Sequence, residues 1–325
     1  MLYPLKFRPL LKERIWGGDL LSTAMGKRLP AGKKIGESWE ISGVVGDIST
    51  VASGALKGNN LQELIEVYMG DLVGEKVYER FGLEFPLLIK LIDAEDVLSV
   101  QVHPDDALAA ERHNSFGKTE MWYVVDCLPG ASLYVGFDGR VTREQYLAAV
   151  AAGELPSLLR RVEVRPGDTF FIPAGTIHAI GKGILIAEIQ QTSDVTYRVD
   201  DWGRVDDNGN PRQLHTELAV DAIDFEGGQN CIATRQPVRN EAVTLVECPY
   251  FTTNVVELDG EMLRDYSRLD SFVIYICLDG STSIRGVDGS ETVVVNGESV
   301  LLPAEESEAT LTGRSRLLEV YIGSL

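Results

Sequence analysis

The stretch Pro166-Gly-Asp-Thr-Phe-Phe-Ile-Pro-Ala-Gly-Thr-Ile-His178 sets a short apolar run between a Pro-Gly-Asp turn and a Pro-Ala-Gly turn. Glycine, proline and aspartate favour tight turns, whereas the β-branched and aromatic residues between them favour strands. Similar strand-like runs recur at 132–137, 168–172, 184–189, 273–277, 291–295 and 299–302. This spacing predicts an antiparallel sandwich or barrel rather than alternating strands and helices.

These turn and strand signals occur twice, so the chain contains an internal repeat. Residues 127–139 align without a gap to residues 277–289, with six of thirteen positions identical, and residues 167–174 match residues 297–304. The first match has an offset of 150 residues and the second an offset of 130. The segment after Gly139, which includes a stretch of helical periodicity at 142–159, accounts for the difference.

The two copies resemble the paired motifs of cupins, which are small double-sheet β-barrels. We therefore expect a mainly β protein of two cupin-type (jelly-roll) barrels, the first with helical insertions at about 55–80, 104–116 and 140–162. The predicted domains are residues 1–230, a catalytic metal-binding barrel, and residues 231–325, a degenerate barrel without a metal.

The two copies differ in residues that can bind a metal. His178 of the first copy aligns with Glu308, Glu120 aligns with Asp270, and no histidine follows His215. We therefore interpret the second copy as a barrel retained for packing, and we expect the chemistry in the first.

Four side chains of the first copy suggest a metal cage. Gln101 and His103 are two residues apart on a predicted strand, so both project from one face. Glu120 precedes the strand-like run 121–125, and His178 closes the stretch quoted first. Two imidazoles, a carboxylate and an amide oxygen, with no thiolate, suit zinc or another borderline divalent ion at a catalytic site. For Gln101 the alternative is a hydrogen bond to His103 from outside the cage.

Cations lie close to these residues in the sequence. Lys90 is in an otherwise apolar strand, Lys118 is two residues before Glu120, and Arg198 ends a polar strand. Three cations near one metal indicate a local anion site, since lysine and arginine bind phosphate through charge-assisted hydrogen bonds. The alternative for Arg198 is an ordinary salt bridge with a neighbouring aspartate.

Two further polar residues belong to the same prediction. Ser99 is two residues before Gln101 on the same strand face, and its hydroxyl would add a donor to the anion site. Glu188, at the end of a strand run, is another candidate, with neutralisation by a nearby lysine as its alternative.

Composition excludes several classes of partner. The formal net charge of −19 opposes binding to nucleic acid or to anionic lipid. The sequence contains no run of about 18 apolar residues, so we expect no membrane-spanning helix. Residues 1–6 do not resemble a signal peptide. The four cysteines show no Cys-x-x-Cys spacing, which favours reduced thiols. We therefore expect a cytoplasmic protein with a small-molecule partner, and the oligomeric state is left open.

Seven segments together resemble type I mannose-6-phosphate isomerases, in the order of that family and over about residues 1–215. The most specific are Gln101-Val-His-Pro104 and Pro173-Ala-Gly-Thr-Ile-His178. The others are Trp16-Gly17-Gly18, Gly36-Glu-Ser-Trp-Glu40, Pro86-Leu-Leu-Ile-Lys-Leu-Ile92, Gly117-Lys-Thr-Glu-Met-Trp-Tyr123 and Gln191-Thr-Ser-Asp-Val-Thr-Tyr-Arg198. The chain lacks the large extra helical domain of longer members and looks like the short bacterial form.

The resemblance implies one zinc ion per chain and the interconversion of mannose 6-phosphate and fructose 6-phosphate in the cytoplasm. The implied zinc ligands are Gln101, His103, Glu120 and His178. The implied catalytic residues are Arg198, Lys118 and Glu188, and the implied substrate and phosphate residues are Lys90 and Ser99.

The chemistry of such an isomerase agrees with these residue types. The enzyme must remove the proton at C2, hold an enediolate and return a proton to C1. Zinc as a Lewis acid and a nearby arginine would both stabilise charge that develops on oxygen. A base with a pKa near neutrality is also needed, and the sequence leaves Lys118 and Glu188 open for that task.

Three other functions compete with this interpretation. A cupin oxygenase or decarboxylase with iron or manganese would have two histidines in His-x-His, whereas Gln101 occupies the first of those places. A sugar-phosphate-binding regulator without turnover would show loss of the ligands or of Arg198, and both are present. An isomerase for another sugar phosphate, or for unphosphorylated mannose, would differ in pocket shape; the three cations favour a phosphate.

Overall fold

The computed structural model describes residues 2–205, 209–226, 231–233 and 235–323. In the first half the strands are β1 (Leu10–Gly18), β2 (Ile35–Ser42), β3 (Leu87–Ala94), β4 (Val100–Val102), β5 (Glu120–Cys127), β6 (Ser132–Phe137), β7 (Leu159–Glu163), β8 (Thr169–Ile172), β9 (His178–Ile180), β10 (Ile184–Gln191) and β11 (Tyr197–Asp200). Next come β12 (Ile232–Ala233), β13 (Ala242–Glu247), β14 (Thr252–Asp265), β15 (Val273–Gly286), β16 (Glu291–Val295), β17 (Ser299–Leu302) and β18 (Glu308–Tyr321).

The helices are α1 (Leu20–Thr23), α2 (Leu61–Val73), α3 (Glu75–Phe81), α4 (Asp106–His113), α5 (Arg143–Ala152) and α6 (Thr216–Ala222), with a 3₁₀ turn at Leu155–Leu158. The predicted domain limits at residues 1, 230 and 325 lie outside the described residues. Among the described helices, none has the length and apolar character needed to span a membrane.

Three sheets of antiparallel strand pairs hold these strands. A seven-stranded sheet has the order β1-β2-β3-β10-β5-β8-β12, and a five-stranded sheet has the order β11-β4-β9-β6-β7. The third sheet has the order β13-β14-β18-β15-β16, with β17 paired to β15. The predicted mainly β architecture with helical insertions in the first half is confirmed.

The insertions begin at residues that favour helix starts. Asn60 and Glu63 form a capping box at α2, Asp105 accepts a hydrogen bond from Leu108 N at α4, and Thr142 caps α5. Such caps satisfy backbone N–H groups that have no partner within the helix. These positions explain why the helices start where the strand pattern stops.

A shared apolar core joins the two barrels. Trp122 and Phe170 pack inside the first barrel, whereas Ile89 of the first barrel shares a cluster with Phe251 and Leu318 of the second. Full burial of one such side chain contributes about 1.5–3 kcal/mol. The contact between the barrels therefore stabilises both of them.

The strand register corrects one position of the predicted repeat. Glu120 lies opposite Ile172, and Val273 lies opposite Leu302, which is the repeat partner of Ile172. The counterpart of Glu120 is thus Val273, and the alignment with Asp270 was wrong. The reason is that a turn at residues 128–131 separates β5 from β6, whereas β15 runs unbroken through the equivalent region.

Candidate metal centre and adjoining cavity

Neighbouring strands bring the predicted ligands together. Gln101 of β4 lies opposite His178, the first residue of β9, and Glu120 opens β5 on the facing sheet. His103 follows directly after β4, and its carbonyl accepts a hydrogen bond from Gly175 N in the Pro-Ala-Gly turn. This hydrogen bond therefore fixes the segment that contains His103 next to the turn that precedes His178.

His103, Glu120 and His178 form one buried cluster. One ligand atom from each lies within 4.8 Å of the others. Glu120 Oε1 is 3.2 Å from His178 Nε2, and Glu120 Oε2 is 3.6 Å from His103 Nε2. All three side chains are at most 1% exposed. The structure thus brings three of the four predicted ligands into one candidate metal site.

Hydrogen bonds on the far side of each imidazole prepare both rings for a metal. His103 Nδ1 lies 3.0 Å from Val195 O, and His178 Nδ1 lies 2.8 Å from Thr176 O. A carbonyl can only accept, so Nδ1 carries the proton in both rings and Nε2 presents a lone pair to Glu120. Burial lowers the pKa of His178 to about 4 and that of His103 well below its usual value, so both rings are neutral at pH 7.

Glu120 is a buried carboxylate in need of a cation. Within the described part of the chain, neither of its oxygens has a hydrogen-bond partner of good geometry, although Lys118 Nζ lies 3.2 Å from Oε2. Burial raises the pKa of Glu120 to about 7. An orphaned carboxylate facing two neutral Nε2 atoms fits a divalent ion that accepts nitrogen and oxygen ligands.

Gln101 lies at the same cluster. Its side-chain Nε2 is 3.3 Å from His178 Nε2. The oxygen and nitrogen of an amide are interchangeable in assignment, so a rotated amide would present its oxygen at this point. The structure thus places the amide of Gln101 beside the three-residue cluster.

A second buried group surrounds Glu188. Lys90 Nζ donates to Glu188 Oε1 at 2.9 Å and to Gln190 Oε1 at 2.6 Å, and Trp122 Nε1 donates to Glu188 Oε2 at 2.8 Å. Burial raises the pKa of Glu188, but Lys90 and Lys118 lower it more, to about 2. Glu188 is therefore ionised, and it neutralises the buried charge of Lys90.

Guanidinium groups gather around the more exposed residues of the site. Asp201 accepts hydrogen bonds from both Arg204 and Arg212, and Arg198 lies close enough to Arg212 for their charges to interact. Arg198 Nη1 donates to Gln213 O at 3.0 Å, while its buried Nε is without a partner among the described residues. The adjoining cavity is lined by five cations (Arg14, Lys90, Lys118, Arg198 and Arg212) and three carboxylates (Glu37, Glu188 and Asp194), and this excess of positive charge suits an anion.

A cavity of about 320 Å³ is lined by Lys90 and Glu188 of the second buried group and by Arg198 and Arg212. The other residues of its lining that matter here are Trp16, Ser99, Gln101, Lys118 and Asp194. Trp16 packs closely on β2 because residue 36 is glycine; a Cβ there would lie 2.4 Å from the Trp16 ring. This size and polarity suit a small, highly polar ligand.

Sequence profiles and relatives agree on one family. The profile described as "Phosphomannose isomerase type I, catalytic domain" matches residues 4–122, and "Mannose-6-phosphate isomerase, cupin domain" matches residues 241–322. Mannose-6-phosphate isomerase ManA of Bacillus subtilis is 37% identical over 330 residues, which cover 98% of this chain and 99% of that protein. The chain belongs to the type I mannose-6-phosphate isomerase family.

Other comparisons agree with this family of isomerases. A mannose-6-phosphate isomerase of Streptococcus mutans is 39% identical, with 93% of each chain covered. The crystal structure of a Bacillus subtilis mannose 6-phosphate isomerase superposes with a TM-score of 0.88 at 34% identity and covers 98% of this chain and 99% of that one. The predicted family and the cupin-type fold are confirmed.

In this member of the type I mannose-6-phosphate isomerase family, the sequence had pointed to nine site residues, and the structure brings all of them to the buried cluster or to the cavity. It adds Arg14, Glu37 and Arg212 to the lining. Glu37 lies in Gly36–Glu40, one of the segments that carried the family resemblance, so the sequence could have indicated Glu37 as a site residue. Arg212 follows a loop, and no spacing rule connects it to Arg198.

Proposed function

We propose that the chain interconverts D-mannose 6-phosphate and D-fructose 6-phosphate through an enediolate, with one zinc ion per chain. His103, Glu120 and His178 would hold the ion, with the oxygen of Gln101 as fourth ligand. The observation that carries this proposal is the buried Glu120 carboxylate, which has no well-formed hydrogen bond among the described residues and lies between two neutral imidazoles, beside a cavity lined by more cations than carboxylates. The names of the full-length relatives supply the substrate pair.

The phosphate would lie at the guanidinium groups. Arg212 and Ser99 line the cavity there, and Arg212 shares its partner Asp201 with Arg204, so that one carboxylate only partly balances the two guanidinium groups. Lys90 was expected to bind phosphate, yet Glu188 and Glu37 already balance its charge. We therefore assign Lys90 to orienting Glu188 and Arg212 to the phosphate.

The reacting carbons would lie between Lys118 and Arg198. Lys118 Nζ is 3.0 Å from His103 Nε2 and faces the cavity, which places an amine beside the metal centre. Glu188, with a pKa of about 2 and donors at both oxygens, is a weak proton acceptor. We therefore propose that Lys118 carries the proton between C2 and C1, and that Glu188 holds the site's charges in place.

Zinc in the His103–Glu120–His178 site would supply a Lewis acid that polarises the substrate carbonyl. The chain's own Arg198 would stabilise the enediolate, because its Nε is a fixed donor without another partner among the described residues. The buried walls formed by Trp16, Trp39 and Ile92 would exclude water from that intermediate.

The test is turnover of mannose 6-phosphate in a coupled assay, together with loss of deuterium from 2-deuterated substrate to solvent. We expect isomerisation that is lost on chelation and restored by zinc. Lys118→Met should lower both turnover and deuterium loss by about 100-fold or more. Arg198→Ala should keep the metal and lose mostly turnover.

The outcomes separate the competing functions. Zinc without turnover of any hexose phosphate would favour a binding protein. Turnover of another sugar phosphate would keep the mechanism and change the substrate. Turnover that survives complete removal of metal would contradict the proposed site.

A further inference from the structure

Asp106, in the first turn of α4, connects the second barrel to the strand of the metal centre. Its Oδ1 accepts hydrogen bonds from Gly117 N and from Gln191 Nε2, each at 2.9 Å. Its Oδ2 accepts the hydroxyl of Tyr250 at 2.7 Å. Tyr250 belongs to the turn between β13 and β14, so this carboxylate joins two segments of the first barrel to one of the second.

The connection continues to Thr119. Gln191 Oε1 accepts Thr119 N at 2.8 Å, and Gln191 N donates to Thr119 O at 3.1 Å. Thr119 Oγ1 accepts Ala174 N at 3.2 Å, in the turn that precedes His178. Thr119 lies between Lys118 and Glu120, so hydrogen bonds that fix its backbone also fix where its two neighbours project.

The contacts of Asp106 are not needed for the helix start. Asp105 caps α4 by accepting Leu108 N at 2.9 Å. The backbone at Gly117 packs tightly against the start of α4, since a Cβ at residue 117 would lie 2.6 Å from Asp106 N. Burial and the adjacent Asp106 raise the pKa of Tyr250 to about 12, so its hydroxyl remains a donor.

We infer that Tyr250, Asp106 and Gln191 are positioning residues through which the second barrel sets the placement of Lys118 and Glu120. This inference rests on the proposed function of the same site. The second barrel has no metal cluster among its described residues. By this inference it still contributes to catalysis, because Tyr250 helps to fix the positions of Lys118, the proposed proton carrier, and Glu120, a proposed metal ligand, in the first barrel.

The experiment compares Tyr250→Phe with Tyr3→Phe in the full-length zinc protein. Tyr3 is the control, because its hydroxyl is also hydrogen bonded, to Leu56 N and Ser53 O, and among the described residues neither partner is hydrogen bonded to Thr119. Turnover, KM and the rate of zinc release to a chelator are measured for each. We expect Tyr250→Phe to lower kcat by about fivefold to tenfold, less than the full effect of one hydrogen bond to a charged group, because this bond acts on the site through Gln191 and Thr119.

The same variant should change KM by less than about twofold and release zinc about fivefold faster, because the phosphate site is untouched while Glu120 is less well held. Tyr3→Phe should leave kcat and zinc release at the wild-type values.

A double-mutant cycle decides whether Tyr250 acts through Asp106. In an Asp106→Ala background, Tyr250→Phe should have no further effect on kcat or zinc release. Additive effects, or wild-type zinc release in Tyr250→Phe, would overturn the inference. If Asp106→Ala does not fold, the comparison of Tyr250→Phe with Tyr3→Phe still tests whether Tyr250 affects kcat and zinc release. An inactive wild-type protein would instead refute the proposed function.

Discussion

The two barrels place a buried glutamate at the same position and surround it differently. Glu188 lies opposite Trp122 and Lys90, and Glu319 lies opposite Tyr275 and Asn254. In each barrel the aromatic residue of the paired strand donates a hydrogen bond of 2.8 Å to the carboxylate. The structural repeat therefore extends to a polar feature inside the barrel.

The surroundings of the two carboxylates explain their different uses. In the second barrel Arg264 forms two hydrogen bonds to Glu319, and Asn254 adds another at 2.7 Å. Tyr266 also donates to it, so donors occupy both oxygens of Glu319. In the first barrel Lys90 and Trp122 hold Glu188 at the edge of a cavity, with the metal cluster beyond. The two carboxylates therefore differ in their surroundings: packed side chains enclose Glu319, whereas Glu188 also lines a cavity.

The largest expected effect is loss of the metal centre. His178→Ala should abolish zinc binding and lower kcat/KM by more than about 1,000-fold while the chain still folds, because the second barrel folds without such a cluster in its described residues. His113→Ala, which removes an exposed imidazole outside the cluster together with its hydrogen bond to the Tyr197 hydroxyl, is the control. Zinc content and full turnover retained in His178→Ala would show that the cluster is not the site.

A difference in pH dependence should separate Glu120 from Glu319. In the metal-free protein the pKa of Glu120 is raised from 4.5 to about 7 by burial, so the folded chain binds that proton more tightly than the unfolded chain. The associated stability is present below about pH 4.5 and is lost as the pH rises through 7, by up to roughly 3 kcal/mol.

Glu319 should behave in the opposite way. Burial raises its pKa, but Arg264 and its other donors lower it below 4.5, so its stabilisation is lost as the pH falls. Urea unfolding of metal-free protein between pH 5 and 8, with and without Glu120→Gln, measures the first effect. Equal slopes for both proteins would contradict the account of Glu120.

A matched pair of substitutions tests the two carboxylates directly. Glu188→Gln should lower kcat by about 100-fold, because Lys90 loses its counter-ion beside the cavity. Glu319→Gln should destabilise the chain by about 2 kcal/mol, since it weakens a largely buried ion pair with Arg264. Its kcat/KM below the unfolding temperature should stay within about twofold of wild type. Equal losses of activity in both variants would remove the functional distinction between the barrels.

The smallest expected effect concerns the phosphate. Arg212→Gln should raise KM for mannose 6-phosphate about tenfold and leave kcat within about threefold, because the phosphate does not react. Arg285→Gln, an exposed arginine on β15 of the second barrel, controls for the change in net charge. An unchanged KM in Arg212→Gln would move the phosphate to another part of the cavity.

The sequence was sufficient where local spacing decides the structure. The two-residue spacing of Gln101, on β4, and His103, directly after it, predicted that both side chains lie at one place, and the turn motif marked His178 as a further residue of the candidate metal site. The sequence was misleading at Asp270, because a gapless match cannot detect the turn at 128–131 that shifts the register. Arg14 and Arg212 were missed because distant segments bring them to the cavity, and their carboxylate partners identify them only in three dimensions.

Zinc titration of the metal-free protein tests the central claim most directly. Turnover of mannose 6-phosphate and bound zinc are measured on the same samples as zinc is added. We predict that turnover rises in proportion to bound zinc and stops rising at about one ion per chain, because one barrel holds the complete ligand set. Full turnover before zinc is added, or a requirement for two ions per chain, would contradict the account.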